Sequence, residues 1–342
     1  MTNTMTKTKN YNIEILRAMS CILVLVIHVS NYYCRGFGLI SEGEFVISVI
    51  IDTFARLSVP CFFMVSGYLL LGREETLAHH NARVKKFFII LIFWNLVYFF
   101  HNVFYMGTSE NLLKLAYEPM EAHLWYLYAM IPIYLVLPFL QIMFRGMNAR
   151  LDRAFMLLAL AMIFIMYISS FAKEELYFDI PLIGDRSYAV YFIAGYMVKK
   201  YQKRIQKPHW MFLMLFLMAN MFNIIATIVM SNLTGDFYER FLEYGNPLIF
   251  GGSACFFIWM TQIRDGNITL PDGIRKCVDW FGPCTLGIYL IHILFLDNYK
   301  KYVEVTDMSA WTAIPLVVAG LLIVSFGCIW VMRKIPLLKK VV

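Results

Sequence analysis

Arg17 and His28, eleven residues apart, sit inside the apolar run Asn12 to Tyr33, NIEILRAMSCILVLVIHVSNYY. At 100° per residue, eleven residues return to nearly the same helix face, with a rise of ~16 Å between them. Both groups are therefore expected to point into one space, one near each end of a membrane helix. An ionisable group at this depth faces a bundle interior or a wet cavity, since Arg in hydrocarbon costs at least ~2.5 kcal/mol. A neutral imidazole can take a proton from a hydroxyl, and a guanidinium can clasp a phosphate with paired donors. The duller alternative is a snorkelling Arg17 and a hydrogen-bonded structural His28.

The next apolar run holds Asp52 and Arg56 at i, i+4, a spacing that puts both on one side of a helix. If that helix runs antiparallel to the first, its rise places them ~12 Å and ~18 Å below its outer end. Asp52 is then expected near the level of His28, as the carboxylate that orients the imidazole. A mutually neutralising ion pair is the alternative. Pro60 removes the N–H that would bond the Arg56 carbonyl, and Gly67 admits a close neighbouring helix. Irregular backbone at this depth is tolerated where it lines a cavity.

Arg83, Lys85 and Lys86 open the third helix. Singly each is ordinary flanking charge; together with Arg17 and Arg56 they suit a polyphosphate donor. His123 and Trp125 in HLWYLY read either as an interfacial aromatic belt or as a lip that binds a sugar or hydroxyl acceptor. Tyr289 and His292 in GIYLIH sit past mid-membrane, toward the level of His28. There is no GxSxG, P-loop, GxGxxG, CxxC or HExxH in the sequence, and no metal is expected.

These residues need a membrane scaffold, and the composition supplies one. The 342 residues are 60% hydrophobic and 15% charged, with mean hydropathy +0.63, against about a quarter charged in a soluble domain. The expectation is an all-α polytopic bundle of about ten transmembrane helices, at 12–33, 44–71, 84–105, 123–144, 153–171, 187–201, 209–231, 245–263, 280–298 and 311–332. The second is interrupted and the sixth is short and rich in tyrosine. Apolar runs fill the chain, so residues 1–342 read as one membrane domain with its bundle at about 11–332. The first helix follows a polar tail without a small-residue cleavage site and reads as retained. The seven cysteines form no framework.

Alternate loops hold 21 of the 30 Lys and Arg against 7, with Arg17 and Arg56 inside helices. By the positive-inside rule both termini are cytoplasmic. The net charge of +7 follows from the same rule and calls for no nucleic-acid partner.

The R-x10-H of the first helix, SVPCFFMVSGYLL in the second, the basic start of the third, HLWYLY and LGIYLIH occur in this order over about residues 11–332. The chain thereby resembles the acyltransferase 3 family of integral-membrane O-acyltransferases, which modify bacterial surface glycans and related molecules. The resemblance implies ten helices in the bacterial cytoplasmic membrane, a cytosolic acyl-coenzyme A donor (acetyl-CoA in an O-acetyltransferase) and an outer hydroxyl acceptor such as a glycan. It implies that His28 is the catalytic histidine and Arg17 its partner. The family's RxxR is matched as Arg83-x-x-Lys86, a departure because Lys cannot make the bidentate contact of Arg. A transporter or flippase for a small polar molecule or glycan intermediate is the alternative function.

Overall fold

A computed structural model describes residues 9–172, 180, 188–205, 208–263 and 268–342. Lys7, Lys173, Arg186, Lys207 and Arg264, which entered the loop-charge count, lie outside the described residues. Among the described residues every regular element is helical. Helix α1 (Tyr11–Cys34) starts at Asn10, whose side chain accepts from the amides of Asn12 and Ile13, two of the donors left open at any helix start. Helices α2 (Glu42–Ala55) and α3 (Ser58–Leu70) are the two halves of the interrupted second run. The break at Arg56 and Leu57 falls where Pro60 leaves the Arg56 carbonyl without its helical donor. Helix α2 opens on a reciprocal cap between Ser41 and Glu44.

Then follow α4 (Leu77–Phe100), α5 (Trp125–Gly146), α6 (Ala149–Ala172), α7 (Ala189–Tyr201), α8 (His209–Thr234), α9 (Pro247–Gln262), α10 (Asp272–Phe281), α11 (Thr285–Tyr302) and α12 (Ala310–Met332). Eight helical stretches are long and apolar enough to cross a membrane. The short α7 and α9 occupy the remaining two expected runs. Residues 189–198 of α7 are all buried. The expected helix at 280–298 falls within a longer helical stretch, Asp272–Tyr302, of which α11 is the second part. Helix α10 precedes it, and a tight turn at Gly282–Cys284 joins α10 to α11. Pro283 in that turn cannot donate to a continuous helical ladder.

Helix α1 is the centre of the bundle, packed on α2, α3, α9, α11 and α12. It runs parallel to α11: Cys21 Sγ meets the Thr285 carbonyl at 3.4 Å, and the Tyr33 and Tyr299 hydroxyls lie 3.0 Å apart. It runs antiparallel to α2, with Ser30 Oγ 3.2 Å from Asp52 Oδ1. Helices α3 and α7 cross with almost no side chain between them. A Cβ on Gly67 would lie 1.7 Å from the Phe192 carbonyl oxygen, and one on Gly195 would lie 2.0 Å from that of Met64. Lys9 pairs with Asp279 on α10, and Arg333 donates to the Pro283 carbonyl at 2.6 Å. Residues 9 and 333 therefore share one face of the bundle, the face nearer Arg17.

Candidate active site

Three imidazoles meet inside the bundle, brought together by α1, α11 and the start of α5. The His28 ring centroid is 5.0 Å from that of His292 and 6.3 Å from that of His123, and the latter two are 5.3 Å apart. Parallel packing of α1 on α11 sets the first pair at one level. His292 is fully buried, and its Nδ1 lies 2.7 Å from the Tyr289 carbonyl. His123 is 2% exposed, and its Nε2 lies 3.3 Å from the Leu290 carbonyl. A carbonyl can only accept, so those two nitrogens carry the protons. The opposite nitrogens, His292 Nε2 and His123 Nδ1, are buried acceptors with no hydrogen-bond partner among the described residues. His28 differs from both. Its ring is half-buried and faces a cavity of about 140 Å³ shared with Arg56, His123, Trp125, Glu239, Tyr244 and Tyr289.

Arg17 belongs to a second cavity of about 270 Å³, walled by Phe62, Ser66, Tyr126, Tyr134, Pro283 and again Tyr289. Tyr289 is thus common to both spaces. Its hydroxyl donates to the His123 carbonyl, and its ring packs 5.6 Å from those of both His123 and Tyr126. Arg17 Nη2 is 2.5 Å from Glu14 Oε2, while its Nε is buried without a partner. The guanidinium therefore retains donating capacity toward the cavity.

Some expected placements differ. Asp52 was expected to orient His28, but its carboxylate is bonded elsewhere: Oδ1 takes Ser30 Oγ at 3.2 Å and Oδ2 takes Arg56 Nε at 2.7 Å. The i, i+4 spacing brings the guanidinium to Asp52 within one helix face, and this buried pair leaves no hydrogen bond to the imidazole. Arg56 was grouped with Arg17 as a donor ligand, yet it lines the His28 cavity, and its Nη2 also holds Glu239 at 3.0 Å. The helix break turns Arg56 toward the acidic loop and away from Arg17. Arg83 makes paired bonds of 2.6 and 2.5 Å to Glu75, and its hydrogen bonds hold the Glu75 carboxyl below the usual carboxylate range. Lys86 lies on neither cavity; it lines a separate cleft. Trp125 packs 4.6 Å from Tyr188 and 5.7 Å from Tyr244, so it faces the cavity and not a lipid belt.

Glu239, which bridges Arg56 to Arg35, was one of many loop acids in sequence and carried no pattern that singled it out. Its neighbour in space, Asn31, follows His28 by three residues on α1 and donates to Glu239 at 3.2 Å. That spacing was the available signal.

A family model described as an acyltransferase domain matches residues 10–333. The chain belongs to this acyltransferase family. The family's match spans all twelve helices, so both cavities lie inside it. Two amino-acid racemases of Enterococcus faecalis are similar over shorter stretches. One is 33% identical over 136 residues and the other 29% over 132, which is 37% and 35% of this chain and 18% of each racemase. The chain thus matches less than a fifth of the length of these relatives. No solved structure matches the acyltransferase chain.

Proposed function

We propose that this membrane acyltransferase is an O-acyltransferase that moves an acetyl or similar group from acyl-coenzyme A to a hydroxyl on a cell-surface glycan. The basic face carrying Arg17 is read as cytosolic and the His28 side as opening outward, in the cytoplasmic membrane of a bacterium. This orientation rests on the loop-charge asymmetry. His28 is the general base. As the acceptor oxygen attacks the thioester carbonyl carbon, its proton passes to His28, the C–S bond breaks, and the proton then leaves with the thiolate as coenzyme A thiol. A neutral imidazole suits this task, and its N–H needs a fixed acceptor. His292 Nε2, buried and unpartnered beside His28, suits that role better than Asp52 does. Arg17, with Arg83 and Lys86 nearby on the same face, is read as steering the donor's anionic portion. His123, Trp125 and Tyr289 are read as the acceptor wall, with Arg56 and Glu239 as polar partners for its hydroxyls.

The observation that supports this reading is the contrast among the three imidazoles: His28 and His123 both line the cavity, but only the half-buried His28 ring has no hydrogen bond to a backbone carbonyl among the described residues, while His123 and His292 are buried and fixed by such carbonyls. The test is thiol release from acetyl-coenzyme A by the protein in nanodiscs, with and without a hydroxyl acceptor. Acceptor-dependent release with ester formation supports transfer. Solute movement in proteoliposomes with no thiol release would make the protein a transporter.

A further inference from the structure

On the face that carries Arg17, several cations are neutralised by the protein itself. Lys9 pairs with Asp279, Arg17 with Glu14, Arg83 with Glu75, Arg145 with Glu74 and Lys200 with Asp152. One cleft gathers six cations that are not so paired. It has a volume of about 690 Å³ and is lined by Lys85, Lys86, Arg333, Lys334, Lys339 and Lys340 with no carboxylate. None of these six side chains is in an ion pair among the described residues. One wall is a single face of α4: Ala82, Lys85, Lys86 and Ile89 follow the i, i+3, i+4, i+7 spacing of that face. The other wall is the segment 333–342, which folds back across α4. That fold is fixed, because Trp94 Nε1 donates to the Val341 carbonyl at 2.9 Å and both Val341 and Val342 are buried. The anchor holds Lys339 and Lys340 over the cleft although like charges repel there.

We propose that the cleft is a polyphosphate-binding site built jointly by α4 and the segment 333–342, and that its occupant is the nucleotide end of acyl-coenzyme A. The inference rests on the acyltransferase reading above. Coenzyme A carries a diphosphate and a separate ribose 3′-phosphate, a spread of charge that suits several lysines around one arginine. Arg333 connects the cleft to the chemistry: it donates to the Pro283 carbonyl, and Pro283 walls the Arg17 cavity. A nucleotide held in the cleft sends its thioester arm past the Gly282–Cys284 turn into that cavity. Arg17 then meets the arm or its diphosphate, and the lysine cleft takes the far phosphate. A phosphate on a lipid headgroup offers the same chemistry, since juxtamembrane basic clusters also attract anionic lipids.

The experiment is calorimetric titration of the full chain in phosphatidylcholine nanodiscs with adenosine 3′-phosphate 5′-diphosphate. It is run on the wild type and on the double variant Lys339→Gln/Lys340→Gln, with thermal midpoints to confirm folding. Wild type is expected to bind, the double variant to lose at least ~10-fold in affinity, and binding to weaken as salt rises. A second double variant, Lys85→Gln/Lys86→Gln, should show a similar loss from the opposite wall. Equal affinity in the wild type and both double variants would overturn the proposal. So would wild-type binding that vanishes in phosphatidylglycerol nanodiscs with lipid retention lost in the variants, which would give the cleft to lipid. Turnover of acetyl-pantetheine, which lacks the nucleotide, separates the two levels. If it is turned over while the nucleotide fails to bind, the cleft assignment falls and the acyltransferase reading stands. If the nucleotide binds through the cleft and neither donor is turned over, the cleft keeps its ligand class and the transfer reading falls.

Discussion

Replacing Gly67 with Ala drives a methyl group into the backbone of α7. The added Cβ would sit 1.7 Å from the Phe192 carbonyl oxygen, short of the 3.0 Å floor for real Cβ contacts by 1.3 Å. The obstacle is main chain, so no rotamer change relieves it, and α3 and α7 must separate. Overpacking of a close-fitting site costs ~1–3 kcal/mol, and a backbone obstacle puts Gly67→Ala at about 3 kcal/mol. Gly195→Ala meets the Met64 carbonyl at 2.0 Å and should cost somewhat less. Because one separation of the same two helices relieves both clashes, the double variant should cost little more than Gly67→Ala alone. Helix α3 also carries Phe62 and Ser66, which wall the Arg17 cavity, so turnover per folded molecule should fall with stability. Equilibrium unfolding in mixed detergent, with the two singles and the double compared, is the assay. A loss below ~0.5 kcal/mol for Gly67→Ala, or full additivity in the double, would refute the close-crossing argument.

Asp52→Asn should act mainly on stability. It leaves Arg56 buried with only Glu239, and breaking a buried pair costs ~3–5 kcal/mol. Turnover normalised to folded protein should be largely kept; its abolition without loss of stability would restore Asp52 as the partner of His28. Arg17→Ala should weaken acetyl-coenzyme A binding at least ~10-fold by calorimetry, and an unchanged affinity would remove Arg17 from the donor site. A cysteine introduced at Lys203 should resist an impermeant thiol reagent in intact cells while one at Glu110 reacts. The reverse labelling pattern would invert the orientation.

The sequence carried the scaffold where one-dimensional physics is strong. Apolar length marked the runs, and the proline rule located the break between α2 and α3 to within a few residues. The 100° turn put Arg17 and His28 on one side of α1, but they line two separate cavities that share Tyr289 as a wall, and not the one common space expected. Gly67 signalled a close crossing, though not that Gly195 would meet it from α7. Partner choice was not legible, because it depends on which helices touch. The Asp52–Arg56 pair was open to the i, i+4 spacing, but Ser30 reaches Asp52 only because α2 packs antiparallel on α1. The segment 333–342 read as flanking charge, and nothing in its own residues announces that Trp94, some 240 positions earlier, holds it. Helix α10 was missed because its polar residues break the hydropathy window, although it forms an amphipathic helix against the start of α1.

The role of His28 is tested most directly by turnover per folded molecule of His28→Ala, with acetyl-coenzyme A affinity and thermal midpoint measured on the same preparation. Loss of a positioned general base costs ~10²–10⁴-fold in rate. Turnover should therefore fall by at least ~100-fold while donor affinity and midpoint stay near wild type. A His28→Ala protein that transfers acetyl groups at near wild-type turnover, or one whose activity falls only in step with its folded fraction, would contradict a catalytic His28.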